Sequence, residues 1–244
     1  MENEKSPFAR LMSRRGALGL LGLGGAALLG ALARRTSAQT PAATPACVVR
    51  PEQTEGPYFV EEGLNRSDIR SDPDTGAVKA GVPVRLTFKV SRMSGGRCVP
   101  LSGAQVDLWH CDALGAYSDI REVDMTTRGE KFLRGYQTTD ANGAAAFTTI
   151  YPGWYRGRTV HMHFKIRIDP KAQRGQEFTS QIYFNDALTD KIFTQPPYAN
   201  RRRRDVRNED DGIFKSGGSR LIIALREDGK QGYAGTFEVA LKSG

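Results

Sequence analysis

Residues 160–168 read Val160-His161-Met162-His163-Phe164-Lys165-Ile166-Arg167-Ile168. Apolar and polar residues alternate through the whole stretch, the period of a β-strand, on which side chains i and i+2 share a face. Val160, Met162, Phe164, Ile166 and Ile168 make one face and belong in a core. The other face sets His161 beside His163, followed by the cations Lys165 and Arg167.

Working outward, the same period recurs. Val82, Val84, Leu86, Phe88 and Val90 alternate with Pro83, Arg85, Thr87 and Lys89, and Ala104, Val106 and Leu108 with Gln105, Asp107 and Trp109. Shorter runs occur at Ser180–Phe184, Leu221–Leu225 and Thr236–Leu241, separated by turn signals such as Ser94-Gly95-Gly96, Asp140-Ala141-Asn142-Gly143 and Asp228-Gly229. No strand alternates with a long amphipathic helix, which disfavours a parallel α/β sheet. The pattern predicts an all-β chain, one antiparallel β-sandwich with long loops and little helix, with a short helical piece near Asp186–Phe193. Residues 40–81 are rich in Pro, Gly, Asp and Thr, without a helical apolar period, and read as an extended arm.

The chain has 244 residues, 39% apolar and 25% charged, ordinary for one globular domain and unlike a disordered or multi-span membrane protein. Its beginning has the plan of an export signal. Ser13-Arg14-Arg15 precedes 18 uncharged residues, Gly16 to Ala33, and then Arg34-Arg35 and the small-residue run Thr36-Ser37-Ala38. The arginine pair resembles a twin-arginine signal, with Ala17 where that pattern usually has Phe. Three segments result: an export signal over 1–38, an arm over 39–81 that contributes to the site, and a catalytic sandwich over 82–244. The expected location is periplasmic or secreted, with membrane contact only through the signal; retention of the segment as an anchor is the alternative.

The net charge of +8 falls to +4 once the signal is removed, with 29 positive residues left against 25 negative. The run Arg201 to Arg204 is followed closely by Asp205, Glu209, Asp210 and Asp211, and reads as a loop tied by local ion pairs. Nucleic acid is therefore not an expected partner. In an oxidising compartment two of Cys47, Cys98 and Cys111 can pair, and the sequence does not say which.

Any histidine-based site must draw on His110, His161 and His163, the full complement. Two His at i and i+2 on a strand can chelate one metal ion with little ordering cost. They can equally be unrelated surface residues. A facial iron(II) triad would want a carboxylate where Met162 stands. A three-His zinc site that includes His110, hence a zinc hydrolase, is open on count alone.

Flanking motifs favour one reading. They are Pro51-Glu52-Gln53-Thr54-Glu55-Gly56-Pro57-Tyr58-Phe59, Asp107-Leu108-Trp109-His110-Cys111-Asp112-Ala113-Leu114-Gly115-Ala116-Tyr117-Ser118, and Tyr151-Pro152-Gly153-Trp154-Tyr155-Arg156-Gly157-Arg158-Thr159 ahead of the His pair. In this order, from Cys47 to Phe214, they resemble the intradiol ring-cleavage dioxygenases, the catechol and protocatechuate dioxygenase family, and most closely its exported single-domain branch. The resemblance implies a non-haem Fe(3+) centre held by Tyr117, Tyr155, His161 and His163, with Arg158 beside the metal and Gln181 in the site. Phenolates are hard anionic donors suited to ferric iron, and neutral imidazoles complete the set. It further implies that a catechol displaces Tyr155, and that both atoms of O2 enter a ring opened between its hydroxyls to a cis,cis-muconate-type diacid.

Tyr151 competes with Tyr155 and is expected to pack; His110, at a strand end, is expected to be structural. Only five residues separate Tyr155 from His161, and no long helical segment is legible before Cys47. Which catechol is taken, and whether the chain forms a homo-oligomer, stay open. The alternative of another class is a non-catalytic exported β-sandwich binding module.

Overall fold

The computed structural model describes residues 47–122, 125–170, 176–229 and 232–242. The export-signal reading of residues 1–38 lies outside them. All described residues belong to one compact unit, Ala43–Gly244, and no described helix is long and apolar enough to cross a membrane.

The strands, in chain order, are β1 (Pro83–Ser94), β2 (Arg97–Pro100), β3 (Gln105–Trp109), β4 (Arg121–Glu122), β5 (Met125–Thr126), β6 (Arg134–Thr138), β7 (Ala144–Ile150), β8 (His161–Arg167), β9 (Glu177–Tyr183), β10 (Arg226–Asp228) and β11 (Gly232–Leu241). One helix, α1 (Asp186–Ile192), follows β9, capped by the Asn185 side chain, which accepts from the backbone N–H groups of Ala187 and Leu188. One sheet runs β10-β11-β1-β2, with β7 also on β1; the second runs β6-β3-β8-β9.

The two sheets face each other through the apolar halves of the alternating strands. Val84, Leu86, Phe88 and Val90 of β1 are buried, while Pro83, Arg85 and Lys89 point to solvent. Phe88 meets Phe164 of β8 with ring centroids 5.2 Å apart, and both meet Phe237 of β11 at 5.9 and 5.4 Å. Emptying one such buried aromatic costs about 3–5 kcal/mol, so this trio pins the sandwich and with it the position of β8.

Three features depart from the sequence reading. First, β1 and β11 pair in parallel, with Val84 opposite Tyr233 and Phe88 opposite Phe237; the long intervening chain supplies the crossover that parallel neighbours need. Second, Leu221–Leu225 is not a strand. A 3-10 turn spans Gly218–Leu221, and Ile222 makes only an isolated bridge to Tyr183; its apolar residues Leu221 and Ile223 are buried against the core without a ladder. Third, the arginine loop is tied to α1 rather than to its own carboxylates. Arg204 pairs with Asp186 and Asp190, Arg207 with Asp190, and Arg201 stacks on Trp154.

The polar face of β8 is also covered, so that the strand is buried on both sides from His161 to Ile166. Its cover is the arm. Lys165 pairs with Glu55 at 2.5 Å and lies over the Phe59 ring, and Arg167 pairs with Glu61. A disulfide between Cys47 and Cys98 ties the start of the arm to β2, leaving Cys111 free and buried.

Candidate metal centre

Strand pairing assembles the site row by row. His163 stands opposite Trp109 of β3 on one side and Gln181 of β9 on the other, and His161 stands opposite Tyr183. The period of two places all five side chains on the face away from the core. The indole of Trp109 stacks on the His163 ring, centroids 5.2 Å apart and planes within 10°.

The tyrosines come from loops. Tyr117 follows the turn after β3, and Tyr155 ends the irregular stretch that leaves β7, just before a turn. These loops touch backbone to backbone, with Gly153 N–H donating to Asp112 O at 3.0 Å. A Cβ on Gly115 (φ +85°) would sit 2.2 Å from the Trp154 carbonyl oxygen, and one on Gly153 would sit 2.4 Å from that of Ala113. Only glycine permits the approach that sets Tyr117 and Tyr155 at a centroid distance of 5.6 Å. From the arm, the Tyr58 ring stacks on Tyr117 at 4.4 Å. Buried Arg134 clamps arm to loop, donating to the backbone carbonyls of Tyr58 (2.6 Å) and Ser118 (2.6 Å).

The proton on His161 can be placed. Nδ1 is 2.6 Å from the Thr159 carbonyl, which only accepts, so Nδ1 carries the hydrogen and Nε2 offers its lone pair. Three groups converge on that one nitrogen: the Tyr155 hydroxyl at 3.0 Å, His163 Nε2 at 3.0 Å and Arg158 Nη1 at 3.4 Å. A single lone pair cannot satisfy all three, whereas a cation bound among them would take the lone pairs of His161 Nε2, His163 Nε2 and the Tyr155 oxygen, with the Arg158 guanidinium beside it and not bound to it. The Tyr117 hydroxyl is buried with no hydrogen-bond partner, as befits a group whose partner is not protein. Burial keeps both imidazoles neutral, His161 pushed down to about 3 and His163 well below its usual range, with nearby charge from Arg158 in the same direction. Burial also pushes Tyr155 up to about 12, opposed by Arg158, and raises Tyr117 well above the ordinary phenol. Neutral imidazoles and phenols that ionise only against a strong cation suit a hard trivalent ion, whose binding would expel the phenolic protons.

Arg158 points from the turn after Tyr155 into the same space. Its Nε donates to Asp211 at 2.8 Å and its Nη2 to Gln181 Oε1 at 2.7 Å. The structure therefore brings together Tyr117, Tyr155, Arg158, His161, His163 and Gln181. It separates His110, whose Nδ1 donates to the Cys111 carbonyl (2.8 Å) and whose Nε2 accepts from the Thr149 hydroxyl (2.7 Å). With both nitrogens taken, His110 is structural and the three-His zinc reading fails; among the described residues no three His, Cys, Asp or Glu side chains cluster to hold a metal. Tyr151 packs on Phe184 and bonds Thr189 at 2.6 Å, away from the site.

Trp109, Tyr183, Tyr58, Arg134 and Asp211 also build the site, and sequence reading assigned none of them to it. Two were within reach of the period-two rule, since Tyr183 follows Gln181 by two positions and Trp109 continues the face of Asp107. Asp211, counted with the arginine loop, is 1% exposed and faces Arg158 instead; nothing local signals that turn inward.

Residues 54–210 match a protein-family model described as dioxygenase. Catechol 1,2-dioxygenase 1 of Acinetobacter lwoffii is 28% identical over 152 residues, which cover 52% of this chain and 45% of that protein; the chain thus spans less than half the length of the curated relatives it matches. An intradiol ring-cleavage dioxygenase from Tetranychus urticae superposes with a TM-score of 0.67 at 31% identity, covering 80% of this chain and 94% of that one. Catechol 1,2-dioxygenase from Pseudomonas arvilla C-1 superposes with a TM-score of 0.53 at 26% identity, covering 79% and 62%.

Proposed function

The chain belongs to the intradiol ring-cleavage dioxygenase family, and on that premise we propose that it is a non-haem ferric enzyme cleaving catechol-type diols with O2. The observation that carries this reading is the convergence of Tyr155, His163 and Arg158 on the free Nε2 of His161, beside the orphaned hydroxyl of Tyr117. Tyr117, Tyr155, His161 and His163 would hold Fe(3+), which supplies a Lewis-acidic centre that chelates a catecholate and activates its ring toward O2.

The remaining roles follow from how each side chain is held. Tyr117 is 1% exposed and locked between Tyr58 and its own loop, so it is the fixed phenolate. Tyr155 is only partly buried, at the mouth of the site, so it is the one able to yield its place to substrate and take up a catechol hydroxyl proton at Oη. Arg158, neither ligand nor solvent-facing, sets a fixed cation where negative charge grows on the substrate ring, an effect that acts mainly in the chemical step. Gln181 holds Arg158 rather than reaching substrate on its own, since its Oε1 accepts from the guanidinium and its Nε2 donates to the Thr54 carbonyl at 3.0 Å. Location in the periplasm or outside the cell is part of this proposal, and the Cys47–Cys98 bridge supports it, because such bonds persist in oxidising compartments.

The test is iron analysis of purified protein with its visible spectrum, then O2 uptake with catechol, protocatechuate and hydroxyquinol. One iron per chain, a red-brown tyrosinate band and a ring-opened diacid are expected. A colourless, metal-free protein inert toward all three diols overturns the proposal and leaves a binding module.

A further inference from the structure

Gln53 on the arm and Asp211 before the Ile213 turn are joined to the Arg158 guanidinium by a closed circuit of contacts. Arg158 Nε donates to Asp211 Oδ2 at 2.8 Å, and Nη2 donates to Gln181 Oε1 at 2.7 Å. The Tyr183 hydroxyl stands 3.0 Å from that same Gln181 oxygen and 2.8 Å from Gln53 Oε1. Gln53 Nε2 donates to the Ile213 carbonyl at 2.9 Å, and Ile213 N–H donates to Asp211 Oδ1 at 2.8 Å, which returns to the start.

Each member is constrained by the others. Asp211 accepts also from the N–H groups of Phe214 and Thr159, both at 2.8 Å, so its two oxygens are saturated by four donors. Asp211, Gln181 and Tyr183 are 1%, 0% and 0% exposed, so water does not compete for these contacts. The guanidinium, caught at Nε and Nη2, has one nitrogen left over, and that is Nη1, directed at His161 Nε2. A long side chain fixed in this way is oriented before substrate arrives, which is the condition for a preorganised charge to act.

We propose that Asp211 and Gln53 are positioning residues which, through Tyr183 and Gln181, fix the orientation of the Arg158 guanidinium. The arm segment that precedes Tyr58 would thereby take part in catalysis without touching substrate. The inference rests on the role given to Arg158 above.

A double-mutant cycle separates positioning from simple docking of the arm. Gln53→Leu and Tyr183→Phe are made alone and in the Arg158→Ala background, in iron-loaded full-length protein, with Asp211→Asn as a third variant where it folds. Iron content, the visible band, anaerobic catechol affinity, KM and kcat are measured. Alone, Gln53→Leu and Tyr183→Phe are expected to lower kcat about tenfold, the rate equivalent of one misplaced hydrogen bond, with iron, band and anaerobic affinity unchanged. In the Arg158→Ala background they should cost nothing further. Equal losses in both backgrounds, or unchanged kcat in the single variants, overturn the positioning role alone. Near-native turnover in Arg158→Ala itself overturns the assignment of Arg158, and the inference with it.

Discussion

Nε2 of His161 and Nε2 of His163 face each other across 3.0 Å on alternate residues of one strand. This pair is the rigid half of the centre, and the tyrosine loops are brought to it. His163→Ala should therefore lose iron and the tyrosinate colour while the sandwich stays folded, because His163 lies on the face opposite Met162 and Phe164. Loss of its stacking on Trp109 should lower stability by only about 1 kcal/mol. Metal analysis with urea unfolding checks both; a coloured, fully active variant overturns the ligand set.

Gly115→Ala tests the loop contact. The new Cβ would be driven into the Trp154 carbonyl at a left-handed backbone position, so the Tyr117 and Tyr155 loops must part. The visible band should weaken or shift, and stability should fall by roughly 1–3 kcal/mol. An unaltered spectrum would show that the tyrosine spacing does not depend on this contact.

Asp107 sits on the covered face of β8's neighbour, and burial lifts its carboxyl to about 6 against the opposing pull of Arg167. The folded state thus holds the proton more tightly than the unfolded state. Its stabilising contribution is present below about pH 4 and is lost as pH rises through 6. Relative to wild type, Asp107→Asn should gain roughly 3 kcal/mol between pH 4 and pH 6.5, the linkage equivalent of that tighter proton binding, and stay level above that. A pH-independent difference in urea midpoints would mean that Arg167 compensates the charge fully.

Cys98→Ser frees the arm at its start. About 2–4 kcal/mol of stability should be lost, and proteolysis near residues 47–60 should quicken. Because Gly56 lies against His163 and Tyr58 against Tyr117, iron should also leave faster to a chelator. Iron retention equal to wild type would show that Arg134 and the ion pairs hold the arm without the bridge.

Export has its own test. Replacing Arg14 and Arg15 together by Lys should strand precursor in the cytoplasm if the route is twin-arginine. Fractionation that finds the double variant exported normally points to the general route.

Period-two alternation made β1, β3, β8 and β11 legible, as it made plain which residues of β8 face the core. A short helical piece was expected near Asp186–Phe193, and α1 forms there under the Asn185 cap. Strand β7, Ala144–Ile150, was missed because alanines and threonines barely alternate in polarity. Leu221–Leu225 was misread for the opposite reason, since an apolar run looks the same whether it pairs in a ladder or merely covers an edge.

What the sequence by itself determined is two imidazoles on one strand face; that the phenols of two glycine-bearing loops and a cation three residues before the first histidine join them was what the family resemblance of the flanking motifs implied. The first is carried by spacing along one strand, the second by the order of short motifs along the chain. Only the tertiary structure decided which cysteines meet, that β1 and β11 run parallel, that His110 is spent on Thr149 and a carbonyl, and that Asp211 turns inward to Arg158. The Cys111 carbonyl apart, each of those depends on contacts between residues roughly forty or more apart, whose energy comes from burial and strand pairing elsewhere in the fold, and no local pattern of residues encodes them.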